Sequence, residues 1–145
     1  MHIVENAKIS KFINYLMREG KKNVAKKMFA AMMQEIKQAG HINPQSVRET
    51  ALENASPTIM TKSKRIGWAV YQVPLEVKAD KRLFFSSTRI IAAAKSKKWK
   101  PMYKKLAEEV LAAYNNQGNA IKKKEDAHRM AEANKAFAHM AKYIK

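Results

Sequence analysis

With 145 residues, 29 Lys and Arg and only 12 Asp and Glu, the chain carries a formal charge of +17, which is more than solubility requires and implies an anionic partner. The absence of cysteine excludes disulfides and thiolate metal sites. The length suits one domain, residues 1–145, around a single core, and no apolar run approaches the roughly 18 residues needed to span a bilayer.

The opening Met1-His-Ile-Val-Glu-Asn-Ala7 has neither a secretory apolar segment nor the Arg-rich face of a transit peptide, so the chain is expected to work where it is made or to be a mature form. Ile9, Phe12, Ile13, Leu16 and Met17 recur at helical spacing and predict a short amphipathic helix that Gly20 ends. From Lys21 to Ala39, a second helix places Ala25, Met28, Phe29, Met32, Met33 and Ile36 on one broad face, its methionines reading as core filling. Asn43-Pro44 supplies an N-cap followed by proline at the first helical position, and Val47, Ala51 and Leu52 give this third helix a buried side.

A β-hairpin at about 58–78 is the only convincing strand signal. Tyr71, Val73, Leu75 and Val77 alternate with Val70, Gln72, Pro74 and Glu76, placing the two sets on opposite faces, and Gly67 stands where the turn needs freedom from Cβ strain. Pro74 cannot donate to a ladder, which suits a two-stranded ribbon with an open edge. Asp80 is expected to cap a fourth helix with Leu83, Phe84, Ile90, Ile91 and Ala94 inward, and Lys95 to Pro101 reads as a basic loop. A fifth helix runs from Met102 to Asn116, stopped by Gly118; the last opens at Ile121 and carries Met130, Ala131, Asn134, Phe137 and Ala138 on its apolar side. The expected architecture is mainly α, a bundle of about six helices with one protruding hairpin.

The positive charge is concentrated. Between Lys62 and Lys105 thirteen Lys or Arg face only Glu76 and Asp80, a local balance of +11 that phosphate would relieve. Candidate phosphate-binding residues there are Lys62, Lys64, Arg65, Lys78, Lys81, Arg82, Arg89, Lys95, Lys97 and Lys98. A second group, Lys8, Lys11, Lys21 and Lys22, lies on the N-terminal helices, and a third is Lys122, Lys123, Lys124 and Arg129. Arginine can grip phosphate through two donors, so Arg65, Arg82 and Arg89 are the expected ordered contacts, with Arg48 outside the set as comparator. Trp68, near the hairpin tip, is expected to meet an RNA or protein partner. Tyr71 reads as packing. Trp99 has two open readings, stacking on a base or packing on the core, and stays outside the contact set.

Catalytic constellations are wanting. His128 and Glu132 share a helix face but lack a second ligand pair, and Glu108-Glu109 and Glu125-Asp126 are adjacent carboxylates expected to point apart. No Gly-rich phosphate loop or nucleophilic triad is recognisable, so the chain reads as no enzyme, with no cofactor, metal or small-molecule substrate. Basic amphipathic helices could instead bind a membrane surface, but their apolar faces are needed for the core. A DNA-compacting, nucleoid-type protein with a basic ribbon is the main alternative.

Five stretches together resemble the bacterial-type small-subunit ribosomal protein S-seven family. They are Lys11 to Lys22, Ala51 to Pro57, Lys62 to Gly67, Tyr71 to Val77, and Lys122 to His139 with its Ala-Asn-Lys-Ala-Phe-Ala-His ending. The resemblance implies a helical bundle with an extended hairpin that binds the 3′ major (head) domain of small-subunit rRNA and nucleates head assembly. It implies neighbouring ribosomal proteins as partners, and a hairpin that reaches toward transfer RNA at the exit site. It also assigns His139 to packing. Where the family has a longer basic N-terminal arm, seven residues precede Lys8; Gly67-Trp68 replaces Gly-Gly at the turn, Lys78-Ala79 replaces Arg-Pro, and the chain closes on Met140-Ala-Lys-Tyr-Ile-Lys145. These departures favour a mitochondrial ribosome over a bacterial cytosol or plastid.

Overall fold

The computed structural model describes residues 2–144, with side chains from residue 7 onward, so Met1 and Lys145 lie outside the described residues. Six α-helices and one hairpin follow in the predicted order: α1 His2–Leu16, α2 Lys22–Gln38, α3 Pro44–Ala55, β1 Ile59–Ile66, β2 Ala69–Glu76, α4 Ala79–Ser96, α5 Met102–Tyr114 and α6 Asn119–Ala133. A 3₁₀ segment, Lys135–Tyr143, closes the chain.

Local chemistry explains the boundaries. The Asn43 side chain accepts the Ser46 amide at 3.3 Å and Pro44 opens α3, satisfying helix-start donors as expected. Gly118 does not stop α5. That role falls to Asn116, at φ 56, where the Asn116 and Gln117 amides donate back to Ala113 O (3.0 Å) and Ala112 O (2.8 Å). Gly118 stands instead at the N-cap of α6 with φ 94, where an added Cβ would lie 3.1 Å from Ala112 Cβ and 3.2 Å from Glu109 Oε2.

The core is assembled by the helices. Phe12 and Leu16 of α1, Met32 and Ile36 of α2, Val47, Ala51 and Leu52 of α3, Ile90, Ile91 and Ala94 of α4, Leu106 and Val110 of α5, and Ile121 of α6 form one buried cluster, with Met28, Phe29 and Met33 against it. Each large apolar side chain so enclosed stabilises the fold by roughly 1.5–3 kcal/mol. Asn54 ties α3 to the end of α5, donating to Ala113 O at 3.1 Å and Tyr114 O at 3.2 Å, carbonyls that a helix end otherwise leaves unpaired.

Several expectations are corrected. Arg48, the comparator for Arg65, is only 1% exposed: it sits 5.9 Å from the Phe29 ring centroid, with Nε donating to Gln45 Oε1 at 3.5 Å. Phe84, expected inward, is partly exposed and meets Tyr15 and Phe85 edge to face. Asp80 lies in the first turn of α4, whose N-cap is Lys78, and Lys95 belongs to the last turn of the same helix, shortening the basic loop. The last apolar stripe breaks at Asn134, which leaves Met130 exposed and passes Phe137 to the 3₁₀ segment.

Candidate nucleic-acid interface

The hairpin is one antiparallel pair in which Ile59 faces Glu76, Lys62 faces Val73, Lys64 faces Tyr71 and Ile66 faces Ala69. Its two-residue turn has positive φ at Gly67 (61°) and not at Trp68, which suits the right-handed twist of the strands and explains why Gly precedes Trp. Strand alternation puts Lys62 and Lys64 on the face of Tyr71 and Val73, and Arg65 with Val70 on the other. The basic approach to the tip is therefore two-sided. Gln72 donates across the strands to Ser63 Oγ at 2.8 Å, and Arg65 Nε lies 3.4 Å from Gly67 O.

The base of the ribbon is anchored. Val73, Val77 and Pro74 are buried, so both faces of the ribbon are covered at its base. Tyr71 packs on Phe137 of the 3₁₀ segment, ring centroids 5.2 Å apart, in the packing role expected of it. The Thr58 amide donates to His128 Nε2 of α6 at 3.1 Å, which requires a neutral imidazole. Burial, then the charges of Lys124 and Arg89, hold the His128 pKa below its ordinary value, consistent with that acceptor role.

The three arginines expected to make ordered contacts are used differently. Arg65 stands at the exposed end of β1. Arg82 Nε donates to Val77 O at 2.8 Å and Nη2 approaches Glu76 at 3.8 Å, bracing the exit of the hairpin. Arg89 is half-buried: it stacks 5.3 Å from the Phe85 ring centroid, its Nη2 lies 3.9 Å from Met60 Sδ, and burial lowers its pKa. It supports the ribbon from beneath.

The lysines divide in the same way. Lys8, Lys11, Lys21, Lys22, Lys62, Lys78, Lys81, Lys95, Lys98, Lys122 and Lys123 are exposed, Arg129 is exposed beside Asp126 at 3.1 Å, and Lys64 and Lys124 are half-buried. Lys97 turns inward, 3.0 Å from Glu109 and 3.3 Å from Glu108, so that Glu108 and Glu109 converge where divergence was expected. Burial pulls the Lys97 pKa down, but its bonds to Glu109 and Glu108 outweigh that and the net shift is upward.

Surface grooves run beside several of these cations. Lys122 and Lys123 of α6 share a 390 Å³ groove with Ala92, Ala93 and Ser96 of α4. Lys62 and Lys64 meet Tyr143 in another of 430 Å³ between ribbon and 3₁₀ segment, whereas the 670 Å³ groove that Lys8 and Arg82 line also holds Glu49, Glu53 and Asp80 and is of mixed charge. The cationic grooves can neutralise phosphates along a folded strand. His139 is exposed, 3.1 Å from Ala136 O, and not packed as the resemblance implied.

Sequence reasoning left Trp99 with two readings and outside the contact set. Its side chain is 98% exposed, so it does not pack on the core, and its backbone is left-handed at φ 74, a conformation costing roughly 1–2 kcal/mol for a residue with a Cβ. Its place between Lys98 and Lys100 was the available signal.

Comparison with known proteins shows the family. Residues 2–135 match the family model described as ribosomal protein S7p/S5e. The small ribosomal subunit protein uS7 of Thermotoga neapolitana is 48% identical over 131 residues, 90% of this chain and 84% of that protein. Its namesake in Lawsonia intracellularis is 48% identical over 130 residues (90% and 83%), and that of Afipia carboxidovorans 48% over 134 (92% and 86%).

Proposed function

The chain belongs to the ribosomal protein S7p/S5e family, and from that membership we propose that it is a structural, non-enzymatic constituent of the small ribosomal subunit that binds small-subunit rRNA. Acting as one domain, it docks on the 3′ major domain and nucleates assembly of the head. The observation that carries this reading is an anchored ribbon bearing Lys62, Lys64, Arg65 and Trp68, with cationic grooves between the ribbon and the 3₁₀ segment and between α4 and α6. Most contacts go to phosphate and the 2′-hydroxyl, through the exposed cations of all three groups. Arg65 is the arginine best placed to grip phosphate; Arg82 and Arg89 act mainly by holding the ribbon. Trp68, 97% exposed beyond the last strand pair, meets a neighbouring ribosomal protein or transfer RNA at the exit site.

The family relationship favours rRNA over the DNA-compacting alternative. The sequence departures that favour a mitochondrial ribosome stand beside bacterial relatives at about the same identity, and sedimenting organelle and cytosolic fractions separately distinguishes the two. In filter binding to a transcript of the 3′ major domain, log affinity falls steeply with log salt, and duplex DNA competes poorly. A flat salt response, or equal preference for DNA, overturns the reading. Arg65→Ala weakens reconstitution into subunits more than the exposed Lys37→Ala does; Arg48 is unsuited as comparator because it is buried.

A further inference from the structure

We propose that Trp99 is a stacking platform for an unpaired RNA base, a contact that rests on the rRNA-binding reading and adds a named site to it. The loop that carries it is held at both ends. Lys97 is fixed on Glu109 and Glu108, Lys100 also pairs with Glu108, and Lys105 Nζ donates to Lys97 O at 3.0 Å. Pro101 then stands at the N-cap of α5 with no amide hydrogen to give. These ties hold Lys97 and Lys100 against the body and leave the indole of the residue between them projecting, in a left-handed backbone conformation that glycine would adopt without strain.

A ring presented in this way contributes little to the fold, since it buries almost no surface, yet it bears the backbone cost of a Cβ at positive φ. What surrounds it selects the occupant. Trp99 lines a groove of 380 Å³ with Glu35, Ala39, Pro101, Lys104 and Leu111; Lys100 and Lys104 on this groove and the adjoining Lys98 are exposed. Glu108, also on this groove, is already neutralised by two lysines. A protein partner offering an apolar pocket would have to seat those ammonium groups as well. A nucleotide satisfies both features, with its base on the indole and its flanking phosphates among the lysines.

The probe is a transcript of the 3′ major domain of small-subunit rRNA. Hydroxyl-radical oxidation read by mass spectrometry reports Trp99 and Trp68 separately in the free and bound protein. Trp99 is expected to be protected several-fold in the complex. Trp99→Gly should bind the transcript roughly 5- to 100-fold more weakly with an unchanged salt slope, while its melting temperature stays level or rises because the strain is gone. Trp99→Phe should keep most of the affinity. If the wild-type protein binds with a steep salt dependence, yet Trp99 oxidises as in the free protein and Trp99→Gly binds equally well, the stacking site is wrong and the rRNA reading stands. If the wild-type protein does not bind, both fall. Protection of Trp99 that arises only when other ribosomal proteins are added assigns the indole to a protein contact and overturns the proposal.

Discussion

In the helical body Ile90, Leu106 and Met32 are sealed from solvent by neighbouring helices, whereas in the outer part of the ribbon every residue from Arg65 to Val70 is exposed. The body is ordered by burial of apolar area. The outer ribbon rests mainly on its cross-strand hydrogen bonds and the turn at Gly67, and an isolated two-stranded hairpin is marginal in water. Its base is different again, gripped by Phe137, Arg89 and His128. The molecule thus keeps a rigid root for a tip that costs little to reshape, which suits a protein that must settle on a preformed RNA surface.

The contrast can be broken most directly in the body. Leu106→Ala should lower unfolding stability in urea by about 2–5 kcal/mol, while Val70→Ala at the tip stays within about 0.5 kcal/mol; similar losses at both would erase the distinction. Two arginines make the next comparison. Arg48→Ala should cost about 2–4 kcal/mol because it empties a buried site over Phe29, whereas Arg65→Ala leaves stability unchanged and shows its effect only in rRNA binding. The glycines come third. Gly118→Ala combines strain at φ 94 with a Cβ 3.1 Å from Ala112 Cβ, and is expected to cost about 1–3 kcal/mol; at Gly67, where the space is open, only the conformational term remains, about 1 kcal/mol.

The smallest effect tests the root of the ribbon through pH. The His128 pKa is lowered in the folded chain from an ordinary 6.5, so the unfolded state binds the proton more readily. The stability that the neutral ring contributes is complete above pH 6.5 and is lost as pH falls from there through the folded-state value. Lys124 and Arg89 are the positive charges that act on the ring. Denaturation curves between pH 7.5 and about 5 should therefore show a decline that His128→Gln flattens; an unaltered slope in the variant would remove His128 from the anchor.

What the sequence determined by itself was local. Helix periodicity, the Asn43-Pro44 start, strand alternation and the Gly67 turn act over a few residues, through dihedral preference and neighbouring hydrogen bonds, and each is found where its residues stand, apart from the last stripe, which breaks at Asn134. The quoted motifs, running in order along the chain, carried the family as well. The tertiary structure decided which way the charges face. Lys95, Lys97, Lys98 and Lys100 are alike in sequence, and only the arrival of Glu108 and Glu109 from α5 turns Lys97 inward; Arg48 is buried because α2 brings Phe29 over it, and Arg89 braces the ribbon because β1 places Met60 against α4. A side chain's period along its helix is written in its neighbours, but its exposure is set by residues far away in the chain, and those meet only in the folded molecule.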